Sequence, residues 1–279
     1  SLLSQKYDFI FYTGGATAGK KVMEAAARNL TPVCLELGGK NPCIVDGTAD
    51  IDSAAKRIMW GKLINSGQNC LAPDYVLVQE DKHQELMEKM CMYMNEFYGD
   101  NPVAEDNGLS SIINERHFFR LLNLANGNNP ANGTVVTPNP AGASYNREAL
   151  KIKPILLDSP ELDAPVMQDE IFGPILPIIP YNTLDVALSI IQEKPEPLAL
   201  YLFSNDKTTK KRVSESVRYG GGCINDTLLH GASSQLPLGG TGYSGMGNYH
   251  GKAGFNTFSH QKAILSRPAK LDTPLRYPP

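Results

Sequence analysis

Short apolar runs alternate along the chain with longer segments in which apolar residues recur every three or four positions. The short runs, rich in β-branched and aromatic residues, predict strands, and the longer segments predict helices. Strands are expected at residues 7–12, 32–35, 41–46, 75–78, 151–157, 175–179, 198–204 and 220–226. Helices are expected at residues 21–30, 50–65, 81–98, 114–125, 184–192 and 206–217. This alternation predicts an α/β fold in which crossover helices connect the strands of a parallel sheet.

Residues outside this alternation are expected to lie at the surface. Residues 126–147 are rich in Asn, Gly, Pro and Ala, and predict a surface loop around a short strand at 134–137. His83 and His117 lie on predicted helices among polar neighbours, which favours solvated positions over ligand positions.

A cysteine follows the predicted helix 50–65. The helical pattern ends at Ser66-Gly67, Cys70 comes three residues later, and Pro73 prevents the helix from resuming. A thiol on such a turn is well placed to meet a small molecule. The alternative is a buried cysteine that serves as a small apolar residue.

A glycine turn separates the first predicted strand from the first predicted helix. It includes Gly14 and Gly15 and ends at Lys20. Backbone N–H groups and the positive end of the helix dipole suit a phosphate there, although a simple packing turn fits equally well. The turn is neither a G-x-G-x-x-G fingerprint nor a P-loop.

Glu36 lies between two leucines at the end of the second predicted strand, followed by Gly38 and Gly39. The glycines let another group approach closely. A carboxylate here is either solvated at a strand end or buried, and burial is costly without a purpose.

Composition limits the class of protein. The 279 residues suffice for one to two domains, and the formal charge of -3 gives no indication of a nucleic-acid surface. No apolar run is long enough to span a bilayer. The five cysteines include no C-x-x-C pair or Cys/His cluster with ligand spacing, so no metal site is expected. Free thiols indicate a reducing compartment, which is taken to be the cytoplasm.

Five ordered motifs together resemble the aldehyde dehydrogenase superfamily. They are L-E-L-G-G-K at 35–40, G-Q-N-C at 67–70, E-I-F-G-P at 170–174, P-L-G-G-T-G-Y-S-G at 237–245, and a His-Gly to Phe-Ser-His stretch at 250–260. The segments C-L-A-P-D-Y at 70–75 and R-Y-P-P at 276–279 are similar to the corresponding sequences of the class 3 branch, which favours fatty and aromatic aldehydes.

The resemblance implies a role for particular residues. Cys70 would be the nucleophile and Glu36 the general base that activates water. The residues implied in binding NAD or NADP are Gly14, Gly15, Leu37, Gly38, Glu170 and Phe172. Asn225 and His230 would lie at the substrate pocket.

The implied reaction oxidises an aldehyde to a carboxylic acid through a thiohemiacetal and a thioester. The sulfur is expected to react as a thiolate in a positive local field. The backbone N–H of Cys70 is one candidate oxyanion donor, and the family's second donor, an asparagine, would lie ahead of Ser1. A Cys-His hydrolase is a weaker alternative, since no histidine has an obvious reason to lie beside Cys70.

The resemblance also predicts how the chain is organised. Residues 1–34 would be a remnant of the Rossmann-type cofactor domain, to which the chain would return in a segment at about 220–240. Residues 35–219 would form the catalytic domain. Residues 241–279 would form an active-site loop and a C-terminal β arm, with a strand at 263–265 that pairs in a homodimer. The chain is expected to be a C-terminal portion of such an enzyme, whose parent could be membrane-associated. A non-catalytic thiol domain or dimerisation module is the alternative.

Overall fold

A computed structural model describes residues 2–125, 129–270, 274–276 and 278. The helices are α1 (Ala16–Ala27), α2 (Ile51–Leu63), α3 (His83–Tyr98), α4 (Glu115–Leu124), α5 (Leu184–Gln192), α6 (Lys207–Ser216), α7 (Leu229–Ala232) and α8 (Gly251–Thr257). The strands are β1 (Ile10–Gly14), β2 (Val33–Leu37), β3 (Pro42–Val45), β4 (Tyr75–Gln79), β5 (Thr134–Val136), β6 (Tyr145–Asn146), β7 (Lys151–Ile152), β8 (Ile155–Asp158), β9 (Ile175–Tyr181), β10 (Ala199–Phe203), β11 (Gly221–Ile224) and β12 (Gly245–Met246).

Seven strands form the larger sheet, in the order β11-β10-β3-β4-β9-β8-β5. Every neighbouring pair is parallel except β5 with β8 at the edge. All residues of β3 and β10 are buried, as expected for parallel strands covered on both faces. The predicted α/β fold with a parallel sheet is confirmed.

The core of this sheet lies in two layers, one on each face. Neighbouring residues of a strand point to opposite faces, so Val76 belongs to one apolar cluster and Leu77 to the other. The first cluster includes Ile58 of α2 and Met90 of α3. The second includes Phe118 of α4. The helices therefore hold the carboxyl ends of β3 and β4 in fixed positions.

Three strands form a smaller sheet in the order β1-β2-β12. β1 and β2 are parallel, and β12 pairs with β2 in the antiparallel direction. The expected return segment at 220–240 is wrong, because β11 pairs with β10 in the larger sheet and β12 is the strand that returns. The expected boundary at 34/35 falls inside β2, and the division into domains stays a prediction.

Other differences from the expected elements have local causes. The first helix begins at Ala16 rather than residue 21, because Gly15 serves as its N-cap. The strand expected at 151–157 is interrupted at Pro154, which has no N–H to donate. Residues 263–265 lie in no strand, and Ile264 is 77% exposed, since no described strand pairs with them. Expectations for Asn126, Tyr277 and Pro279 lie outside the described residues.

No helix in the part of the chain that the structure describes has the length and apolar character needed to cross a membrane.

Candidate active site

Cys70 lies on a tight turn that begins where α2 ends. A 3₁₀ turn (Ile64–Gly67) follows the helix, and Asn65, Ser66 and Gly67 have φ angles of 50°, 54° and 74°. A Cβ at Gly67 would lie 2.3 Å from the carbonyl oxygen of Gly173. Glycine is therefore required both for the left-handed backbone and for the close approach of the neighbouring loop. The α-helix ends at Leu63, before the predicted end at Ser66-Gly67, because Asn65 and Ser66 already have positive φ angles.

Asn41 fastens the Cys70 turn to the larger sheet. Its Nδ2 donates to the carbonyl oxygens of Cys70 at 2.7 Å and Ala72 at 3.1 Å. Its Oδ1 accepts from the N–H of Ala199 at 2.8 Å. The side chain is 1% exposed, so these bonds replace water entirely. Sequence reasoning missed Asn41, although its position after the L-E-L-G-G-K motif was a possible signal.

Glu36 is a buried carboxylate within the smaller sheet. It lies inside β2 between Thr13 and Gly245 on the neighbouring strands, and is 2% exposed. The hydroxyl of Thr13 donates to its Oε2. Its Oε1 has no hydrogen-bond partner among the described residues. The solvated alternative for Glu36 is therefore excluded, and one oxygen is left to interact with another group.

A cavity of about 860 Å³ opens between the two sheets. It brings together Cys70, Glu36, Gly14, Gly15, Gly38, Glu170 and Phe172 of the predicted site residues. Leu37 is not among its lining residues, because adjacent strand residues point to opposite faces. Its side chain packs against Gly19 of α1 instead.

Asn225 and His230 are not among the lining residues of this cavity, and their place at the substrate pocket stays a prediction. Asn225 accepts the N–H of Ser204 at 2.8 Å and has a φ of 58° at the end of β11. This left-handed conformation is one that asparagine tolerates. His230 Nδ1 lies 3.3 Å from the Sγ of Cys223, and its ring packs edge-on against Tyr201. Both residues therefore have structural contacts.

Helix α4 brings basic side chains to the cavity that sequence reasoning missed. Arg116, His117 and Arg120 line it. Partial burial, followed by the charges of Arg120 and Arg116, lowers the pKa of His117. The spacing of the two arginines, one helical turn apart, was a signal that both lie on one face. His83 is partly exposed, and its Nε2 lies 2.8 Å from Asp158 Oδ1.

The loop that carries Glu170 and Phe172 is held by charged groups. Asp74 accepts the N–H of Ile171 at 2.9 Å, and Arg120 donates to the carbonyl oxygen of the same residue. Lys40 pairs with Asp74 and donates to the carbonyl oxygen of Asp169 at 3.1 Å. Lys40 and Asp74 are both buried, so each is paired as buried charges require.

Gly38 provides the space in which the Glu170 carboxyl lies. A Cβ at Gly38 would lie 2.1 Å from Glu170 Oε2. The backbone N–H of Gly39 lowers the pKa of the same carboxyl, against the larger effect of burial, which raises it. Any residue larger than glycine at position 38 would displace the carboxyl from the cavity wall.

Comparison with known proteins identifies the family. The model of the aldehyde dehydrogenase family matches residues 2–264 of the chain. The chain belongs to the aldehyde dehydrogenase family. The resemblance inferred from the five motifs is confirmed.

Curated relatives include several enzymes of this family. The 4,4'-diaponeurosporen-aldehyde dehydrogenase of Staphylococcus aureus is 44% identical over 279 residues, which cover 100% of this chain and 59% of the relative. The dimeric NADP-preferring aldehyde dehydrogenase of Mus musculus is 44% identical over 281 residues, covering 100% of this chain and 60% of the relative. Aldehyde dehydrogenase family 3 member A2 of Pongo abelii is 44% identical over 280 residues, covering 100% and 56% respectively. The chain thus spans somewhat over half the length of these relatives, and the class 3 resemblance is confirmed.

Solved aldehyde dehydrogenases share the fold. Staphylococcus aureus AldH in a substrate-bound state gives a TM-score of 0.91 at 44% identity, covering 100% of this chain and 59% of that chain. The NAD-dependent aldehyde dehydrogenase of Sinorhizobium meliloti gives a TM-score of 0.85 at 30% identity, covering 98% and 54%.

The charges around the sulfur in this aldehyde dehydrogenase family member favour a neutral thiol. Burial is the main cause that raises the pKa of Cys70 to about 12, and the charges of Glu36 and Glu170 add to it. The N–H of Cys70 itself acts in the opposite direction. The expectation of a thiolate in a positive field is therefore wrong, because carboxylates approach the sulfur from two other segments.

Proposed function

We propose that the protein oxidises an aldehyde to a carboxylic acid with NAD or NADP, through a covalent intermediate on Cys70. The main support for this proposal is that the Cys70 thiol and the buried Glu36 carboxylate line the same cavity. The charge of Glu36 contributes to the raised pKa of Cys70, which agrees with their proximity. A nucleophile within hydrogen-bonding reach of a base is the arrangement that covalent catalysis needs.

The residues present fit a dinucleotide cofactor. Gly14 and Gly15 precede α1, whose N-terminal N–H groups suit a phosphate. Gly38 has no side chain to fill the space beside Glu170, and Phe172 lines the same cavity. These residues would hold the cofactor, which when bound supplies the acceptor for the hydride.

In the first step the sulfur of Cys70 adds to the aldehyde carbon. Because the thiol is neutral, its proton must leave as the S–C bond forms, and Glu36 Oε1 is the unpartnered acceptor beside it. The carbonyl π electrons move to the oxygen of the aldehyde. The backbone N–H of Cys70 is a donor placed to stabilise the resulting charge.

In the second step Glu36 activates water. Oxidation of the adduct leaves a thioester on Cys70, and a water that transfers its proton to Glu36 attacks the acyl carbon. The C–S bond breaks, the acid is released and the thiol is regenerated. A base in this place favours hydrolysis over transfer of the acyl group to another thiol.

A folded thiol domain or dimerisation module without catalysis is the second candidate. The neutral state of Cys70 favours it, because a thiol with a pKa of about 12 is a weak nucleophile on its own. Incubating the purified chain with NAD or NADP and an aldehyde, while following absorbance of the reduced cofactor, separates the two. Absence of turnover together with absence of a cofactor-induced thermal shift would eliminate activity for this chain.

Substrate class, assembly and location complete the proposal. Relatives named as family 3 members and as a dimeric enzyme support a class 3-like enzyme and a homodimer. The proposed preference for fatty or aromatic aldehydes follows from the class 3 resemblance of the sequence. The exposed segment around Ile264 and Leu265 is the proposed contact of the dimer arm. A cytoplasmic location is proposed with it. Chemical crosslinking of the purified chain, with and without charged substitutions at Ile264 and Leu265, tests the assembly.

A further inference from the structure

The turn that carries Cys70 is joined to a second part of the chain besides Asn41. This part is the α4 leader, residues 110–113, which belongs to no helix or strand and leads directly into α4. The hydroxyl of Ser66 donates to the carbonyl oxygen of Ser110 at 2.5 Å, and Ser66 is 1% exposed. The start of the turn is therefore attached to the start of the leader.

Gln68, two residues before Cys70, makes the remaining contacts with the leader. Its Oε1 accepts the N–H of Ile113 at 2.9 Å, and its Nε2 donates to the carbonyl oxygen of Ser111 at 3.0 Å. The Nε2 also donates to the carbonyl oxygen of Asn65 at 3.1 Å, within the turn itself. A reversed amide would place Oε1 against two carbonyl oxygens and Nε2 against an N–H group, so only one orientation satisfies all three bonds.

The α4 leader is held in place independently of the Cys70 turn. Ile112, which lies between the two residues that the amide binds, is 2% exposed, and its N–H donates to the carbonyl oxygen of Leu150 at 2.8 Å. At the end of the leader, Asn114 caps α4 by accepting the N–H of His117 at 3.0 Å. The leader is thus a fixed support to which the turn is attached.

The Cys70 turn needs such a support. Asn65 and Ser66 have positive φ angles, which residues other than glycine adopt only where the surrounding contacts hold them. Gln68 is half-buried and lines the same cavity as Cys70 and Ile113. Because its bonds lie at the edge of the cavity, their loss should loosen the turn locally and leave the core packed.

We propose that Gln68 is a positioning residue for Cys70, whose amide docks the Cys70 turn on the α4 leader and fixes the sulfur relative to the cavity wall that α4 supplies. This wall includes Arg116 and His117. The inference rests on the proposed function, in which Cys70 is the nucleophile. A nucleophile displaced by about 1 Å loses about a hundredfold in rate, so the support matters for the reaction.

The first test measures alkylation by iodoacetamide, with each cysteine peptide quantified by mass spectrometry. Gln68→Met keeps the length of the side chain and removes the donor and the acceptor. Cys70 should alkylate about three- to tenfold faster, because a looser turn exposes the thiol more often. Cys91 and Cys223, which are also free and partly exposed, should keep their rates. An unchanged rate at Cys70, or an equal acceleration of all three thiols, would overturn the proposal.

The second test measures hydrogen exchange of single backbone amides by NMR. In Gln68→Met the N–H of Ile113 loses its acceptor and should exchange about three- to tenfold faster. The N–H of Ile112 keeps its bond to Leu150 and should exchange at the wild-type rate. Faster exchange at both amides, or at neither, would overturn the proposal.

Steady-state kinetics distinguish a positioning role from a binding role. Gln68→Met should lower kcat of cofactor reduction about tenfold or more and change the KM for the aldehyde less than about twofold. A raised KM at unchanged kcat would make Gln68 a binding group and overturn the proposal. If the wild type shows no turnover, the proposed oxidation fails, and alkylation and exchange alone decide the role of Gln68.

Control variants separate the effect from a general loss of structure. Gln192 lies at the exposed end of α5, and its Nε2 donates to the carbonyl oxygen of Ser216 at 2.9 Å. Gln192→Met should leave alkylation, exchange and kcat unchanged. Gln68→Asn, whose amide is one methylene too short to reach the leader, is a second variant with the same expected result as Gln68→Met. Thermal melting establishes that each variant is folded.

Discussion

Asn41→Ala should destabilise the protein and release the turn that carries Cys70. The amide makes three bonds, to the carbonyl oxygens of Cys70 and Ala72 and from the N–H of Ala199, at 2.7, 3.1 and 2.8 Å. Each partner left without a bond in a buried place costs about 1–3 kcal/mol. Because the turn can move toward water and recover part of this loss, we expect a total of about 3 to 6 kcal/mol.

Urea denaturation followed by the fluorescence of the single tryptophan, Trp60, measures this loss. Trp60 lies on α2, the helix that leads into the affected turn. Alkylation of Cys70 in native buffer should accelerate in the variant, because the turn opens more often. Asn182→Ala, at an exposed position, is the matched control and should cost less than about 0.5 kcal/mol. A loss below about 1 kcal/mol in Asn41→Ala, with unchanged alkylation, would refute the role of Asn41.

Three further substitutions test the site. Cys70→Ala should abolish both cofactor reduction and any ester hydrolysis, and residual activity in either assay would exclude Cys70 as the nucleophile. Glu36→Gln should slow deacylation by about a hundredfold or more, measured by single-turnover kinetics with a pre-acylated enzyme; an unchanged rate of deacylation would contradict its role as the base. Gly38→Ala should displace the Glu170 carboxyl, since the added Cβ would lie 2.1 Å from Oε2, and should weaken the thermal shift caused by NAD or NADP; an unchanged shift would exclude Glu170 from cofactor binding.

The sequence predicted the larger sheet because its strands are buried on both faces and its helices are amphipathic. Segments such as 75–78 and 184–192 therefore appear as continuous apolar runs or as helical periodicity. The sequence carries no comparable signal for which of the two sheets a strand joins. The two-residue strand β12 is too short to show a period, and its pairing with β2 depends on the path of the whole chain. The return to the smaller sheet was consequently assigned to the wrong segment.

Site residues that belong to a sequence motif could be predicted. Residues whose role depends on a tertiary contact could not. Cys70 and Glu36 stand in motifs, whereas Asn41 matters because of the groups that the fold places beside its polar atoms. Leu37 shows that membership of a motif does not by itself place a side chain in the cavity. It belongs to the motif, but the strand period turns its side chain away from the cavity and toward Gly19.

The charge state of Cys70 shows most clearly why chemistry could not follow from the motifs alone. The sequence of a turn after a helix does not show whether charged groups surround it. In the fold, the carboxyl groups of Glu36 in β2 and of Glu170 in the loop before β9 act on the Cys70 sulfur. Two carboxyls and burial oppose the thiolate, so the proton must leave together with carbon–sulfur bond formation rather than before it. Under the proposed mechanism a single base, Glu36, therefore receives a proton twice, first from the thiol and then from water, and must release the first proton before the second step. Under this proposal the unpartnered oxygen of Glu36 therefore takes part in both steps.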